Sequence, residues 1–177
     1  MSGPKSLPLR GRVAAQQPGG AAAAVPHPVS LRETVPPHEG EGGLKIEGYA
    51  SLWWARDLGG DVVARGAFAD SLKRRPAEEV AMLWRHAPAD PVGVWDELRE
   101  DATGLFVRGR VTAPHAAALV WSGAVEGLSI GYRTARARRG DGGRVRVLSA
   151  VDLREVSLVA FPMLPGARVR AAGGAAA

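Results

Sequence analysis

Between residues 44 and 170, the chain is a series of short segments separated by turn residues. In some segments apolar and polar side chains alternate, and in others the side chains are continuously apolar. Alternation with a period of two is typical of a half-buried strand, because successive side chains point to opposite faces of a sheet. The segments predicted as strands are 44–49, 80–84, 92–98, 105–111, 128–138, 144–148 and 151–161. Segments 68–73 and 114–122 are predicted as short helices. The sequence therefore predicts the α+β class: a mostly antiparallel small β-barrel with a few short flanking helices.

The two ends of the chain differ from this central part. Residues 1–43 contain seven of the 13 prolines and no aromatic residue, so they bury too little apolar surface to offset their conformational entropy. Residues 171–177 are all alanine or glycine. We expect a disordered N-terminal arm over 1–43, one folded domain over 44–170 and a disordered tail over 171–177.

The composition excludes several kinds of function. The chain has no cysteine, which excludes a thiol nucleophile, a disulfide scaffold and thiolate metal sites. No pair of histidines has ligand spacing and no dense carboxylate cluster occurs, so no metal or other cofactor is predicted. No apolar run approaches the roughly 18 residues of a membrane span. A secretory signal is not expected either, because no apolar stretch follows the basic residues of the N-terminus.

The net charge of +5 and the pI of about 10.4 allow a nucleic-acid partner. Nearly all basic residues are arginines that are scattered along the predicted strands rather than gathered on one helix. We attribute the charge to compositional bias and predict no direct binding of nucleic acid.

The segment from Gly127 to Gly131 holds a serine between two aliphatic residues and two glycines. The parity of the predicted strand points Leu128, Ile130 and Tyr132 to the core, so Ser129 and Gly131 face a surface or cleft. Glycine permits a close approach of backbone or substrate. Ser129 is therefore a candidate nucleophile, and the alternative is an ordinary strand serine beside a closely packed neighbour.

His86 is the candidate base. It ends the segment 82–86 and precedes Pro88 and Pro91, which predict the end of regular structure and place the histidine at a junction of strand and loop. The alternative is an ordinary exposed histidine. Of the other histidines, His27 and His38 lie in the arm, and His115 begins a predicted helix.

Glu155 is the candidate acidic partner of His86. It shares the parity of Val151 and Leu153, which predicts a carboxylate on an otherwise apolar face. Such a carboxylate needs a partner. An imidazole would be oriented and stabilised by it, and an ion pair with one of the many arginines is an equally good alternative.

Taken together and in order, these segments resemble the tailed-phage prohead (procapsid maturation) serine proteases, a family similar in fold to the herpesvirus assembly proteases. The resemblance covers roughly residues 44–167 and leaves the arm unmatched. One departure is Met163-Leu164-Pro165, where the family often has Asn-Pro. The matching segments are 48–51, 60–63, 66–68, 82–86, 91–95, 104–107, 127–132, 155–159 and 161–162.

The resemblance implies a serine endopeptidase with Ser129 as nucleophile, His86 as general base and Glu155 as the third member of the triad. It implies that 44–170 is the catalytic domain and that the substrates are the major capsid protein and scaffold segments. The arm would then be a self-cleavage or shell-docking segment. The resemblance also implies self-association, no membrane partner, and action in the cytoplasm within assembling procapsids. We expect the substrate to bind as an added strand beside the barrel.

Two other functions stay open from the sequence. One is a non-enzymatic capsid or scaffold assembly protein. The other is a basic nucleic-acid-binding barrel that uses Arg133, Arg136, Arg138 and Arg139 on phosphates. The glycine and aliphatic pattern around Ser129 favours the protease, because no aromatic and basic stacking surface accompanies the arginines.

Overall fold

The computed structural model describes residues 42–172, so most of the predicted arm and residues 173–177 of the predicted tail lie outside the described residues. The helices are α1 (Ala69–Arg74) and α2 (Pro114–Trp121). Single 3₁₀ turns lie at Ala77–Glu79 and Asp141–Gly143. The strands are β1 (Leu44–Leu52), β2 (Asp61–Val63), β3 (Ala81–Trp84), β4 (Ala87–Glu100), β5 (Gly104–Val111), β6 (Gly127–Gly140), β7 (Val145–Val159) and β8 (Arg168–Ala171).

Seven of the strands close into a barrel in the order β7-β3-β4-β5-β1-β8-β6, and the pairing of β6 with β7 closes the ring. The small barrel with few short helices is thus confirmed. The expectation of a mostly antiparallel sheet is only partly right, because β2 and β3 both pair with β7 in parallel and the sheet is mixed. Alternation of side chains predicts strands but says nothing about strand direction, and neither parallel pair is joined by a hairpin turn.

The barrel interior is filled by aliphatic and aromatic side chains. Phe68, Trp95, Leu128, Leu153 and Leu158 are among the largest fully buried side chains. Burial of each such side chain stabilises the fold by about 1.5–3 kcal/mol. Leu128 on β6 and Leu158 on β7 are cross-strand partners, so the two strands that carry most of the candidate site are anchored to the core.

Two boundaries differ from the sequence prediction. β4 begins at Ala87 and continues through Pro88 and Pro91, although these prolines were expected to end regular structure. The register of β3 against β4 shifts on both sides of the pairing between Leu83 and Pro91. Proline is tolerated in a sheet at such irregular positions, because the ladder there does not need its missing N–H.

β6 and β7 are much longer than the other barrel strands except β4, and they form a two-stranded ribbon whose tip is the turn Asp141–Gly143. Among residues 42–172, no helix is long and apolar enough to cross a membrane.

Candidate active site

A β-bulge in β7 brings Glu155 to the same face as Ser129. Gly131 pairs with Glu155 but Tyr132 pairs with Leu153, so Arg154 is an extra residue without a cross-strand partner. Val151 and Leu153 face the core as predicted, and beyond the bulge the core positions become Val156 and Leu158. The prediction that Glu155 shares the apolar face of Val151 and Leu153 is therefore wrong. Alternation cannot reveal a single inserted residue, and that residue reverses the parity.

Ser129 lies near the start of β6, directly opposite Ser157 on β7. Cross-strand partners point to the same face of a sheet, so Ser129, Ser157 and Glu155 share one face. The core-facing positions of β6 are those predicted from its parity, with Leu128 buried and both Ile130 and Tyr132 packed against the core. Ser129 itself is 6% exposed, whereas Ser157 is 0% exposed.

His86 occupies the turn that joins β3 to β4. Trp84 pairs with Ala87, so Arg85 and His86 form a two-residue hairpin loop, and both have positive φ, at 51° and 62°. Positive φ at both central residues is the signature of a type I′ turn, which favours glycine and asparagine. The Arg85 N–H donates to the carbonyl oxygen of Leu158 at 3.0 Å and fixes the turn against β7. His86 is thus held beside Glu155 in a backbone conformation that costs about 1–2 kcal/mol for a residue with a Cβ.

Glu155 forms hydrogen bonds with both His86 and Ser157. The Nδ1 atom of His86 lies 2.6 Å from Oε1 of Glu155, and the Ser157 hydroxyl donates to Oε2 of the same carboxylate. The Ser157 oxygen also accepts a hydrogen bond from the His86 backbone N–H at 3.2 Å. One buried hydroxyl therefore holds the carboxylate and the histidine backbone at the same time.

Gly131 makes room for this carboxylate. A Cβ atom at position 131 would meet Oε1 of Glu155 and would lie 2.7 Å from its Cδ, which is closer than real Cβ contacts. Glu155 therefore extends across the backbone of Gly131. The close approach that the glycines predicted is present, and the approaching group is this side chain.

Ser129 on β6 and His86 in the turn after β3 lie on opposite sides of β7. Among residues 42–172, no hydrogen bond joins the Ser129 hydroxyl to His86, and Ser157 lies on the strand between them. Ser157 cannot act as a nucleophile because it is fully buried. The role of Ser157 was not predicted, although the spacing Glu155-x-Ser157 places both side chains on one face of a strand.

A cleft of about 600 Å³ adjoins Ser129, and it is called the β6 cleft below. Ser129, Ile130 and Tyr132 line it from β6, and Asp61 and Met163 line it from other segments. Within residues 42–172, the outer edge of β6 is bonded at Gly127, which pairs with Arg168 of β8, and at Leu128, whose N–H donates to the carbonyl oxygen of Ala167 at 3.1 Å. Beyond Leu128, the backbone of β6 has no strand partner on that edge among those residues and is open to another strand.

The far part of the cleft contains a second hydrogen-bonded cluster, formed by Asp61, Tyr132 and Arg146. The Tyr132 hydroxyl donates to Oδ2 of Asp61 at 2.8 Å, and Arg146 donates to both carboxylate oxygens at 2.8 and 2.5 Å. The hydrogen bond from Arg146 is the main cause that lowers the pKa of Asp61. Burial is the main cause that raises the pKa of Tyr132, and the hydrogen bond to Asp61 adds to it. Sequence reasoning missed this cluster because its members come from three different strands.

The chain is similar to several known proteins. A family model described as caudovirus prohead serine protease matches residues 32–176. The prohead protease of Enterobacteria phage HK97 is 37% identical over 142 residues, which cover 76% of this chain and 63% of that protein, so the chain spans less than two thirds of its relative. Among solved structures, that of KSHV protease in complex with a hexapeptide phosphonate inhibitor has a TM-score of 0.52 at 20% identity, covering 72% of this chain and 64% of that one. At this identity the likeness concerns the fold, and it agrees with the expected similarity to herpesvirus proteases.

Proposed function

Because the family match extends over residues 32–176, the chain belongs to the caudovirus prohead serine protease family, as its sequence motifs indicated, and we propose that it is a serine endopeptidase that processes capsid or scaffold proteins during procapsid maturation. Ser129 is the nucleophile, His86 the general base and Glu155 the group that orients the base. Residues 44–170 are the catalytic domain.

The observation that carries this proposal is the contact of 2.6 Å between His86 Nδ1 and Glu155 Oε1, on the face that Ser129 shares. A carboxylate that accepts the Nδ1 proton fixes the tautomer whose Nε2 is free to act as a base. His86 has 43% of its side chain exposed, whereas Glu155 has only 13% exposed. The acid is thus shielded and the base is reachable from the substrate side.

In the proposed reaction, Ser129 Oγ bonds to the scissile carbonyl carbon while its proton passes to His86 Nε2. The tetrahedral intermediate breaks the C–N bond, and the departing amine takes the proton from Nε2. A water molecule then adds to the acyl carbon and gives a proton to His86, the bond from that carbon to Ser129 Oγ breaks, and Oγ regains the proton from Nε2 as the acid product leaves. The reaction needs Nε2 within hydrogen-bond reach of Ser129 Oγ, and such contacts commonly tighten only when substrate is bound.

The open edge of β6 supports binding of the substrate as an added strand. Backbone groups of β6 beyond Leu128 have no strand partner on that edge within the described residues, and Ser129 lies at the start of this stretch. Strand addition recognises extended polypeptide through backbone hydrogen bonds, while neighbouring pockets select its side chains. A folded domain would have to expose such an extended segment, as a scaffold or capsid extension does.

The biological setting is part of the same proposal. We expect capsid and scaffold proteins as substrates, self-association of the chain, no direct contact with nucleic acid, and action in the cytoplasm within assembling procapsids. The arm over 1–43 is a candidate site for self-cleavage.

The decisive experiment is the change Ser129→Ala, tested by processing of a co-expressed capsid precursor and by covalent labelling with a serine-reactive phosphonate. We expect cleavage and labelling to be lost while the thermal unfolding midpoint is unchanged. Ser149→Ala is the matched control, since Ser149 lies exposed on β7 outside the site. If Ser129→Ala still processes the precursor, the catalytic assignment is wrong, and a wild-type protein that neither cleaves nor labels would favour the non-enzymatic assembly role.

A further inference from the structure

The β6–β7 ribbon curls back over its own β6 strand. Three of its residues are bulged out of the cross-strand register: Ala135 on β6, and Ser149 and Arg154 on β7. Each bulge bends a strand and increases its twist. Asp61 pairs with Arg146 near the tip of the ribbon, yet its carboxylate accepts a hydrogen bond from Tyr132 near the base. The curl therefore brings the tip to the β6 cleft.

The tip carries the positive charges of this cleft. Arg139, Arg144 and Arg146 line it, and the acidic lining residues are Asp57 and Asp61. Asp61 is neutralised by Arg146 through a two-point ion pair. Asp57 accepts the backbone N–H of Asp61 at 2.8 Å and so stabilises the turn before β2.

Arg139 and Arg144 have no such partner. Within residues 42–172, neither guanidinium forms an ion pair, although ten ion pairs occur elsewhere in that range. Two exposed, unpaired guanidinium groups at the end of a cleft attract carboxylates, and the planar group is suited to two-point hydrogen bonding. Both arginines line the same cleft as Ser129 and Tyr132 of β6.

We propose that Arg139 and Arg144 are specificity-determining residues that select polypeptide substrates with acidic side chains in the segment before the scissile bond. This inference rests on the proposed function only in calling the bound polypeptide a substrate, because a binding preference can be measured without any cleavage. Antiparallel pairing is the more stable arrangement for an added strand. An antiparallel strand on β6 places residues that precede the scissile bond toward Tyr132 and the tip arginines.

Binding is measured with full-length Ser129→Ala protein and fluorescein-labelled dodecapeptides of alanine, serine and threonine. Each peptide carries three consecutive glutamates, glutamines or lysines, placed in either its N-terminal or its C-terminal half. We expect the N-terminal glutamate peptide to bind roughly three- to tenfold more tightly than its glutamine counterpart, and added salt should reduce this preference. Arg139→Glu combined with Arg144→Glu should reverse the preference toward lysine.

Arg138→Glu is the matched control, since Arg138 is exposed on the same ribbon but does not line the cleft. It should keep the preference for glutamate. Equal binding of all peptides, a preference for C-terminal glutamate, or equal loss in Arg138→Glu would each overturn the inference. If a charge-reversed variant unfolds, the glutamine variants at 139 and 144 replace it and should abolish the preference.

Precursor processing and phosphonate labelling by the wild-type chain separate the two proposals. A glutamate preference in a chain that neither processes the precursor nor reacts with the phosphonate would sink the proposed protease function and leave the binding inference intact. Processing and labelling without a charge preference in peptide binding would do the reverse.

Discussion

Two carboxylates on neighbouring parts of the sheet are hydrogen-bonded by similar numbers of partners but have different chemistry. Glu155, at the base of the β6–β7 ribbon, contacts the His86 imidazole and the Ser157 hydroxyl. Asp61, beside the tip, contacts the guanidinium of Arg146 and the hydroxyl of Tyr132. Each carboxylate therefore forms hydrogen bonds with one nitrogen-containing side chain and one hydroxyl group.

The two clusters differ in their nitrogen-containing side chain, which is histidine beside Glu155 and arginine beside Asp61. Histidine is the side chain that ordinarily changes its charge between pH 5 and 8, whereas a guanidinium stays protonated. At the tip, the hydrogen bond that Arg146 donates to Asp61 raises the pKa of Arg146, and burial raises the pKa of Tyr132. No group in the tip cluster exchanges a proton near neutral pH. The same hydrogen-bond arrangement is therefore a structural clamp at the tip, whereas the proposed mechanism uses the arrangement around Glu155 for proton transfer.

Glu155→Gln tests the cluster of Glu155, His86 and Ser157 at the base of the ribbon, called the base cluster below, and should have the largest effect on kcat. Glutamine removes the negative charge that stabilises an imidazolium, and it can favour the wrong tautomer of His86. We expect kcat to fall by about 10²–10⁴-fold with the fold retained. Steady-state cleavage of a fluorogenic peptide measures this, with the exposed Glu126→Gln as control. A fall in kcat of less than threefold would show that His86 does not depend on the Glu155 carboxylate to act as the general base.

Gly131→Ala tests whether the base cluster needs an empty position opposite Glu155. The new Cβ would lie 2.7 Å from the Glu155 Cδ, so the carboxylate must move away from its present position beside His86. We expect kcat to fall by about 10–100-fold, because small displacements of catalytic groups are costly. Gly140→Ala, at the other end of the same strand, meets only valine methyl groups at 3.1 and 3.2 Å and should leave kcat nearly unchanged. Equal losses in the two variants would point to a general disturbance of β6.

The sequence shows the local patterns of the site at the base of the β6–β7 ribbon. The parity of β6 places Leu128 in the core and Ser129 on the opposite face, as predicted, because no bulge lies between them. The two flanking glycines correctly indicated a close approach. The parity that predicted Glu155 as the acidic partner is wrong, because Glu155 does not share the apolar face of Leu153.

What the sequence did not reveal depends on long-range pairing. The parallel contact of β3 with β7 brings His86 to Glu155, and no local pattern encodes it. The bulges at Ala135, Ser149 and Arg154 leave no compositional mark, so neither the reversal of parity nor the curl of the ribbon was predicted. The cluster of Asp61, Tyr132 and Arg146 follows from that curl and was missed with it.

Asp61→Asn tests the clamp at the tip, and its main effect should be on stability. Because the pKa of Asp61 is lower in the folded state than its ordinary value, the ionised carboxylate stabilises the fold above its unfolded pKa of about 3.9, and this contribution disappears as the pH falls through the folded pKa. We expect a loss of about 1–2 kcal/mol in the free energy of unfolding at pH 7, discounted for the half-exposed Arg146. Urea titrations should show this difference shrinking below about pH 4.

Asp96→Asn is the matched control for that change, because Asp96 pairs with Arg110 at an exposed position. Its loss should be under about 1 kcal/mol. An Asp61→Asn variant as stable as the control, or one whose loss persists unchanged at low pH, would contradict the clamp.

The turns at the two ends also differ, and the difference yields the smallest expected effect. The turn at the ribbon tip places Asp141, Gly142 and Gly143 at positive φ, whereas the turn that carries His86 has two non-glycine residues there. His86 is held by the contact with Glu155, but Arg85 forms no ion pair within residues 42–172. Arg85→Asn should therefore raise the free energy of unfolding by about 0.5 kcal/mol, since asparagine tolerates this conformation better, and should leave kcat within about twofold. Arg74→Asn, in the last turn of α1, should instead destabilise slightly through its lower helix propensity. A loss of stability in Arg85→Asn would mean that the Arg85 side chain contributes contacts that outweigh its backbone strain, and the turn would then be a second structural clamp like that at the tip.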